Sequence, residues 1–99
     1  MKLLALCALA LLPLSSVAQV SDPNLARNLA ATCANCHGTD GRSAGGIASL
    51  AGVPRAQIVE RMKEFKDGKR PATIMHQIAK GYSDPQIELM AGFFAAQKK

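Results

Sequence analysis

Cys33-Ala34-Asn35-Cys36-His37 is the stretch of this chain whose residue types and spacing prescribe a reaction. Two thiols three residues apart, followed at once by an imidazole, form the order that covalent haem attachment requires. On a helical turn, residues three and four apart share a face, so Cys33, Cys36 and His37 can address one flat ligand together. The two thiols would add across the vinyl groups of a porphyrin while His37 reaches the iron. One covalent haem c is therefore the expected cofactor, with Cys33 and Cys36 as its anchors and His37 as an axial ligand.

Two other chemistries use the same residue types. A redox disulfide between Cys33 and Cys36 leaves His37 without a task and calls for a βαβ context. A structural zinc site needs four ligands, and past residue 18 the chain offers Cys33, Cys36, His37 and His76 in a spacing unlike that of the usual fingers.

A haem iron held by His37 wants a sulfur or nitrogen donor on its other side, for which Met62, Met75, Met90 and His76 are the candidates. Met62 and Met90 fall on the apolar stripes of predicted helices, where a methionine is ordinarily a flexible core filler. Met75 and His76 are neighbours, and on a helix neighbours point about 100° apart, so only one of them can face the iron. Met75 follows the Lys69-Arg70-Pro71 break and lies 38 residues after His37 (75 − 37), far enough to wrap over a ring edge. Met75 is the preferred axial ligand on these grounds, with His76 the alternative.

These side chains must be positioned by helices, because no strand pattern occurs. Asp22-Pro23 places a capping acceptor before a proline at the first helical position, with Leu25 and Leu29 following four apart. That helix leads directly into the Cys-x-x-Cys-His stretch. Gly38 to Gly46 is too glycine-rich for regular structure and predicts a loop passing under the haem, with Ile47 and Leu50 turned to the ring or the core. Pro54 opens a second helix, with Ile58, Val59, Met62 and Phe65 at helical spacing, and Gly68 ends it. A short helix is predicted over Thr73 to Lys80, closed by Gly81. A capping box at Ser83-Asp84-Pro85-Gln86 starts the last helix, with Ile87, Met90, Ala91 and Phe94 on one face. The expected fold is all-α, three to four helices around one haem.

Residues 1 to 18 read as a secretory signal peptide: Lys2, an apolar run from Leu3 to Leu14, and the small-residue site Ser16-Val17-Ala18. The run is too short for a membrane span, which takes about 20 apolar residues, and Pro13 interrupts it. Cleavage after Ala18 removes Cys7 and leaves 99 − 18 = 81 residues from Gln19 as a single domain, 19–99. An exported, periplasmic protein without stable membrane insertion is expected.

Of those 81 residues 34 are hydrophobic, but 13 of the 34 are alanine, so large core side chains are scarce. A chain of this size is marginal without a staple, and haem would supply the missing apolar mass. With 11 basic against 7 acidic residues the charge past residue 18 is +4. Nucleic acid explains this poorly, because the basic residues interleave with acids, as in Glu60-Arg61-Met62-Lys63-Glu64-Phe65-Lys66-Asp67, the pattern of a solvated helix face. Lys63, Lys66, Lys69 and Arg70 form the cluster that could serve as a docking face for a redox partner.

Cys33 through Gly41, Leu50-Ala51-Gly52 and Phe65-Lys66-Asp67-Gly68 together resemble the class I cytochromes c, over nearly the whole chain past residue 18. In that family the ligand methionine precedes the serine capping the last helix by about eight positions, as Met75 precedes Ser83, so the resemblance also implies Met75. Many relatives have a proline whose carbonyl holds the proximal histidine. Here Ala48 takes that place and retains a carbonyl. Thr73 through Ser83 and Met90-Ala91-Gly92-Phe93-Phe94 are similar to the cytochrome subunits of flavocytochrome c sulfide dehydrogenases, whose partner is a flavoprotein that oxidises sulfide. Such subunits often have two haem motifs, and this chain has one.

The resemblance implies an electron-transfer protein rather than an enzyme, taking electrons from a sulfide-oxidising flavoprotein subunit. A free carrier between membrane redox complexes is the alternative. A haem enzyme or gas sensor would need an open axial position, which a second ligand closes.

Overall fold

The computed structural model describes residues 22–99, so the expected signal peptide, its cleavage site and Cys7 lie outside the described residues. Within them all regular structure is helical: α1 Leu25–Ala30, α2 Ala34–His37, α3 Arg55–Lys66, α4 Met75–Lys80 and α5 Asp84–Ala95. A 3₁₀ turn, Ala31–Cys33, joins α1 to α2, and Ala31, Cys33 and Ala34 all keep right-handed helical dihedrals. Leu25 to His37 is thus one helical path, and the described chain has four helical segments. A second 3₁₀ turn, Thr39–Gly41, follows the motif.

Helix α5 is the centre of the packing. Its face of Ile87, Met90, Ala91 and Phe94 is buried against Ala30 of α1 and Ile58 and Val59 of α3, the core that the spacing predicts. Full burial of one such side chain is worth about 1.5 to 3 kcal/mol. Small residues complete it: Ala30, Ala51, Ala79 and Ala91 are all buried, letting backbones approach closely. Leu25 remains exposed at the first position of α1, while Leu29 packs on the core.

The termini of the elements follow local chemistry. The Asp22 carboxylate accepts from the Asn24 backbone N–H at 2.8 Å, as a cap should, although the regular helix begins only at Leu25. At the end of α3 the Lys69 N–H donates to the Glu64 carbonyl and the Gly68 N–H to the Phe65 carbonyl. With Gly68 at φ +73°, this is the Schellman closure expected of that glycine. The α5 capping box is formed in both directions, Gln86 N–H to the Ser83 hydroxyl and Ser83 N–H to the Gln86 side-chain carbonyl.

Helix α4 ends where expected, at Lys80 with Gly81 closing it, but starts later. It begins at Met75 rather than Thr73, with Ile74 at φ −136°. Thr73 and Ile74 are both β-branched and stiff at χ1, which lowers their helix propensity, and they form a bend instead. Gly81 closes it in the ordinary right-handed region, φ −78°, by a bond from its N–H to the Ile78 carbonyl. No helix among the described residues is long and apolar enough to cross a membrane.

Candidate cofactor site

The helical path α1–α2 delivers the motif. Cys33 ends the 3₁₀ turn, half-buried against the core, and Cys36 lies one turn on, exposed. Both thiols are free, and among the described residues no three His, Cys, Asp or Glu gather into a metal-holding group. Burial pushes the Cys33 thiol up from its ordinary value.

His37 is the last residue of α2, and its Nδ1 lies 2.6 Å from the Ala48 carbonyl oxygen. A carbonyl can only accept, so Nδ1 carries the proton and the lone pair sits on Nε2, the tautomer an iron ligand needs. The loop is built to bring Ala48 there. Gly38, at φ +83°, turns the chain sharply out of α2, and a side chain on it would collide with the Arg42 carbonyl. The Gly41 carbonyl then accepts from the N–H groups of Leu50 and Ala51, at 2.7 and 3.2 Å, which closes the loop. Gly52 N–H to the Phe94 carbonyl, 2.9 Å, ties it to α5.

Among the candidates for the second ligand, Met90 is in the core at 4% exposure and Met62 is packed against it. Met75 and His76, the first two residues of α4, are half-buried and stand apart from that cluster. Helix α4 packs on α3, and α2 on the adjoining 3₁₀ turns, while α2 and α4 share no broad packing contact. Three large apolar side chains are left exposed on these elements: Ile47 in the loop, Ile74 before α4 and Ile78 on it. An oriented imidazole, two free thiols one helical turn apart and uncovered apolar surface make a donor set that suits haem.

The expected docking cluster is partly committed elsewhere. Lys66 donates to the Tyr82 carbonyl at 2.6 Å and lies 3.6 Å from Asp84. Arg70 pairs with Glu64 at 2.7 Å and sits over the Phe65 ring. Lys63 and Lys69 are exposed and form no ion pair among the described residues. Two residues that the sequence does not single out also adjoin the site, Thr32 and Tyr82, whose hydroxyls meet at 2.8 Å across 50 residues of chain. No local pattern announces such a pair.

Comparison with known proteins agrees with this site. The family model described as Cytochrome c matches residues 25–95. The cytochrome subunit of sulfide dehydrogenase from Chlorobaculum tepidum is 41% identical over 71 residues, covering 72% of this chain and 64% of that protein. Cytochrome c4 of Pseudomonas aeruginosa is 39% identical over 70 residues, covering 70% of this chain and 35% of that protein. The structure of Acidithiobacillus ferrooxidans cytochrome c4 superposes with a TM-score of 0.66 at 27% identity, covering 80% of this chain and 52% of that one. The chain thus spans between about a third and two thirds of the length of these relatives. Cys33, Cys36 and His37 stand in the family's Cys-x-x-Cys-His position, whose cofactor is covalently bound haem c.

Proposed function

The chain belongs to the cytochrome c family of electron-transfer proteins, and from that premise we propose that it is an exported monohaem carrier accepting electrons from a sulfide-oxidising flavoprotein. The observation that carries the partner is the 41% identity to a cytochrome subunit of sulfide dehydrogenase.

When bound, haem supplies a one-electron ferric–ferrous couple. The chain's own residues do the rest. Cys33 and Cys36 fix the ring covalently, so the cofactor stays with its carrier between donor and acceptor. His37, pinned through Nδ1 by the Ala48 carbonyl, presents Nε2 to one side of the iron. Met75 would supply a thioether to the iron, which would favour the ferrous state and raise the potential. With His37 and Met75 both holding the iron, no position would be left for a substrate, so the protein would carry electrons and leave bond chemistry to its partner.

That partner must hold the flavin itself. The described residues contain no strand to carry a glycine-rich dinucleotide-binding turn, so this reading assigns sulfide oxidation to the flavoprotein and not to these residues. Lys63 and Lys69 keep exposed ammonium groups but share their surface with Glu60, Glu64 and Asp67, so charge steers the encounter only locally.

The test is reduction of the haem by sulfide, with and without the candidate flavoprotein. The proposal expects slow reduction of the isolated cytochrome, much faster reduction with the flavoprotein, and co-purification of the two. A flavoprotein that neither co-purifies nor accelerates reduction removes this partner and leaves the free-carrier reading.

A further inference from the structure

Helix α4, which carries Met75 at its first position, makes its broad packing contact with α3 and none with the path that carries Cys33 and His37. What ties the two together is the turn that follows α4. The Tyr82 hydroxyl lies 2.8 Å from the Thr32 hydroxyl, and Thr32 Oγ1 lies 3.3 Å from the Leu29 carbonyl. A carbonyl accepts, so Thr32 donates to Leu29 and Tyr82 donates to Thr32, one directed chain ending in α1. Thr32 immediately precedes the anchor Cys33. From the other side, Lys66 of α3 donates to the Tyr82 backbone carbonyl at 2.6 Å and neighbours Asp84 at the start of α5. Tyr82 is therefore gripped at both ends, by α3 through its carbonyl and by the haem-bearing helix through its phenol.

We propose that Tyr82 is a positioning residue for the second iron ligand: its hydroxyl, bonded to Thr32, latches the α4 turn to the helix that anchors haem. This rests on Met75 being that ligand. The phenol touches neither iron nor substrate; it limits how far α4 can swing away and so disfavours release of the Met75 sulfur. Removing the latch leaves α4 packed on α3 but frees it relative to the ring.

Exogenous imidazole reads this directly, since it binds the ferric iron only by displacing Met75. Tyr82→Phe removes one oxygen and keeps the ring. The holoprotein carrying it should bind imidazole roughly three- to tenfold more tightly than the parent, the range one net hydrogen bond supplies. Thr32→Val should do the same, Thr32→Ser should restore the parent affinity, and the double variant Tyr82→Phe, Thr32→Val should go no further than either single one. Ile58→Val, which thins the core at the opposite end of α3 from Lys66, lowers stability without moving imidazole affinity. Parent-like imidazole binding by Tyr82→Phe, or additive effects of the two single variants, overturns the latch. Failure of the ligand reading is separate: it shows as a Met75→Ala protein that keeps the long-wavelength sulfur-to-iron absorption.

Discussion

The Nδ1–H of His37 donates to the backbone carbonyl of Ala48, eleven positions on, at 2.6 Å, closing the loop between them onto the imidazole. The bond needs a carbonyl at that position and no particular side chain, so alanine serves there. It fixes the tautomer before any metal arrives. In the holoprotein the His37 Nδ1 proton should give a distinct, slowly exchanging proton resonance coupled to nitrogen. A His37 ring with no proton on Nδ1, or one exchanging as fast as a free imidazole, would break this part of the account.

The loop depends on Gly38 more than on its other glycines. At φ +83° and ψ 166° the position suits glycine almost alone, and an added Cβ runs into the Arg42 carbonyl. Gly38→Ala should cost about 1 to 3 kcal/mol from the backbone alone, and more as the clash moves the loop off His37. Gly68 also has positive φ, +73°, but a Cβ there meets nothing. Gly68→Ala should cost only about 1 kcal/mol and leave the haem spectrum untouched. Thermal unfolding of the two variants beside the parent checks the order.

Cys33 and Cys36 differ before haem is attached. Burial raises the Cys33 thiol while Cys36 is exposed, so in the apo-protein iodoacetamide should modify Cys36 first. The neutral thiol is the form the fold favours at Cys33. As pH rises past the ordinary thiol value the unfolded chain ionises there while the folded one resists, so apo-protein stability falls in that window. Mass-resolved alkylation at two pH values, with chemical denaturation at each, measures both effects. Equal modification rates would contradict the burial of Cys33.

Export predicts a chain beginning at Gln19 with one haem retained after denaturation. Intact mass spectrometry of material from the cell envelope decides this, and an uncleaved chain or haem lost on denaturing would exclude it.

The parts of the molecule governed by local chemistry were legible in the residues. The Cys-x-x-Cys-His order, the Gly68 closure, the Ser83–Gln86 box and the Ile87, Met90, Ala91, Phe94 face all follow from neighbours a few positions apart, and the structure shows each of those elements. Helix α4 starts two residues later than its spacing predicts because the β-branched pair Thr73 and Ile74 forms a bend after Pro71, with Ile74 at φ −136° outside the helical region. The committed roles of Lys66 and Arg70 were hidden for another reason. A charge pattern along a helix shows which side chains are ionic but not which carbonyl or carboxylate lies within reach once α3 meets the turn before α5. The Thr32–Tyr82 pair is the extreme case, two hydroxyls 50 residues apart that only the packed fold brings together.

The central claim is a haem c held by His37 and Met75 with both axial sides of the iron filled, and the ferric absorption spectrum of Met75→Ala beside Met62→Ala and Met90→Ala tests it most directly. Met90 is buried in the core, so Met90→Ala should cost about 2 to 5 kcal/mol of stability, and Met62→Ala less, both with the weak long-wavelength sulfur-to-iron band intact. Met75→Ala should lose the band and show a lower reduction potential. A Met75→Ala protein that keeps the band, or a parent protein that never shows it, would contradict the account.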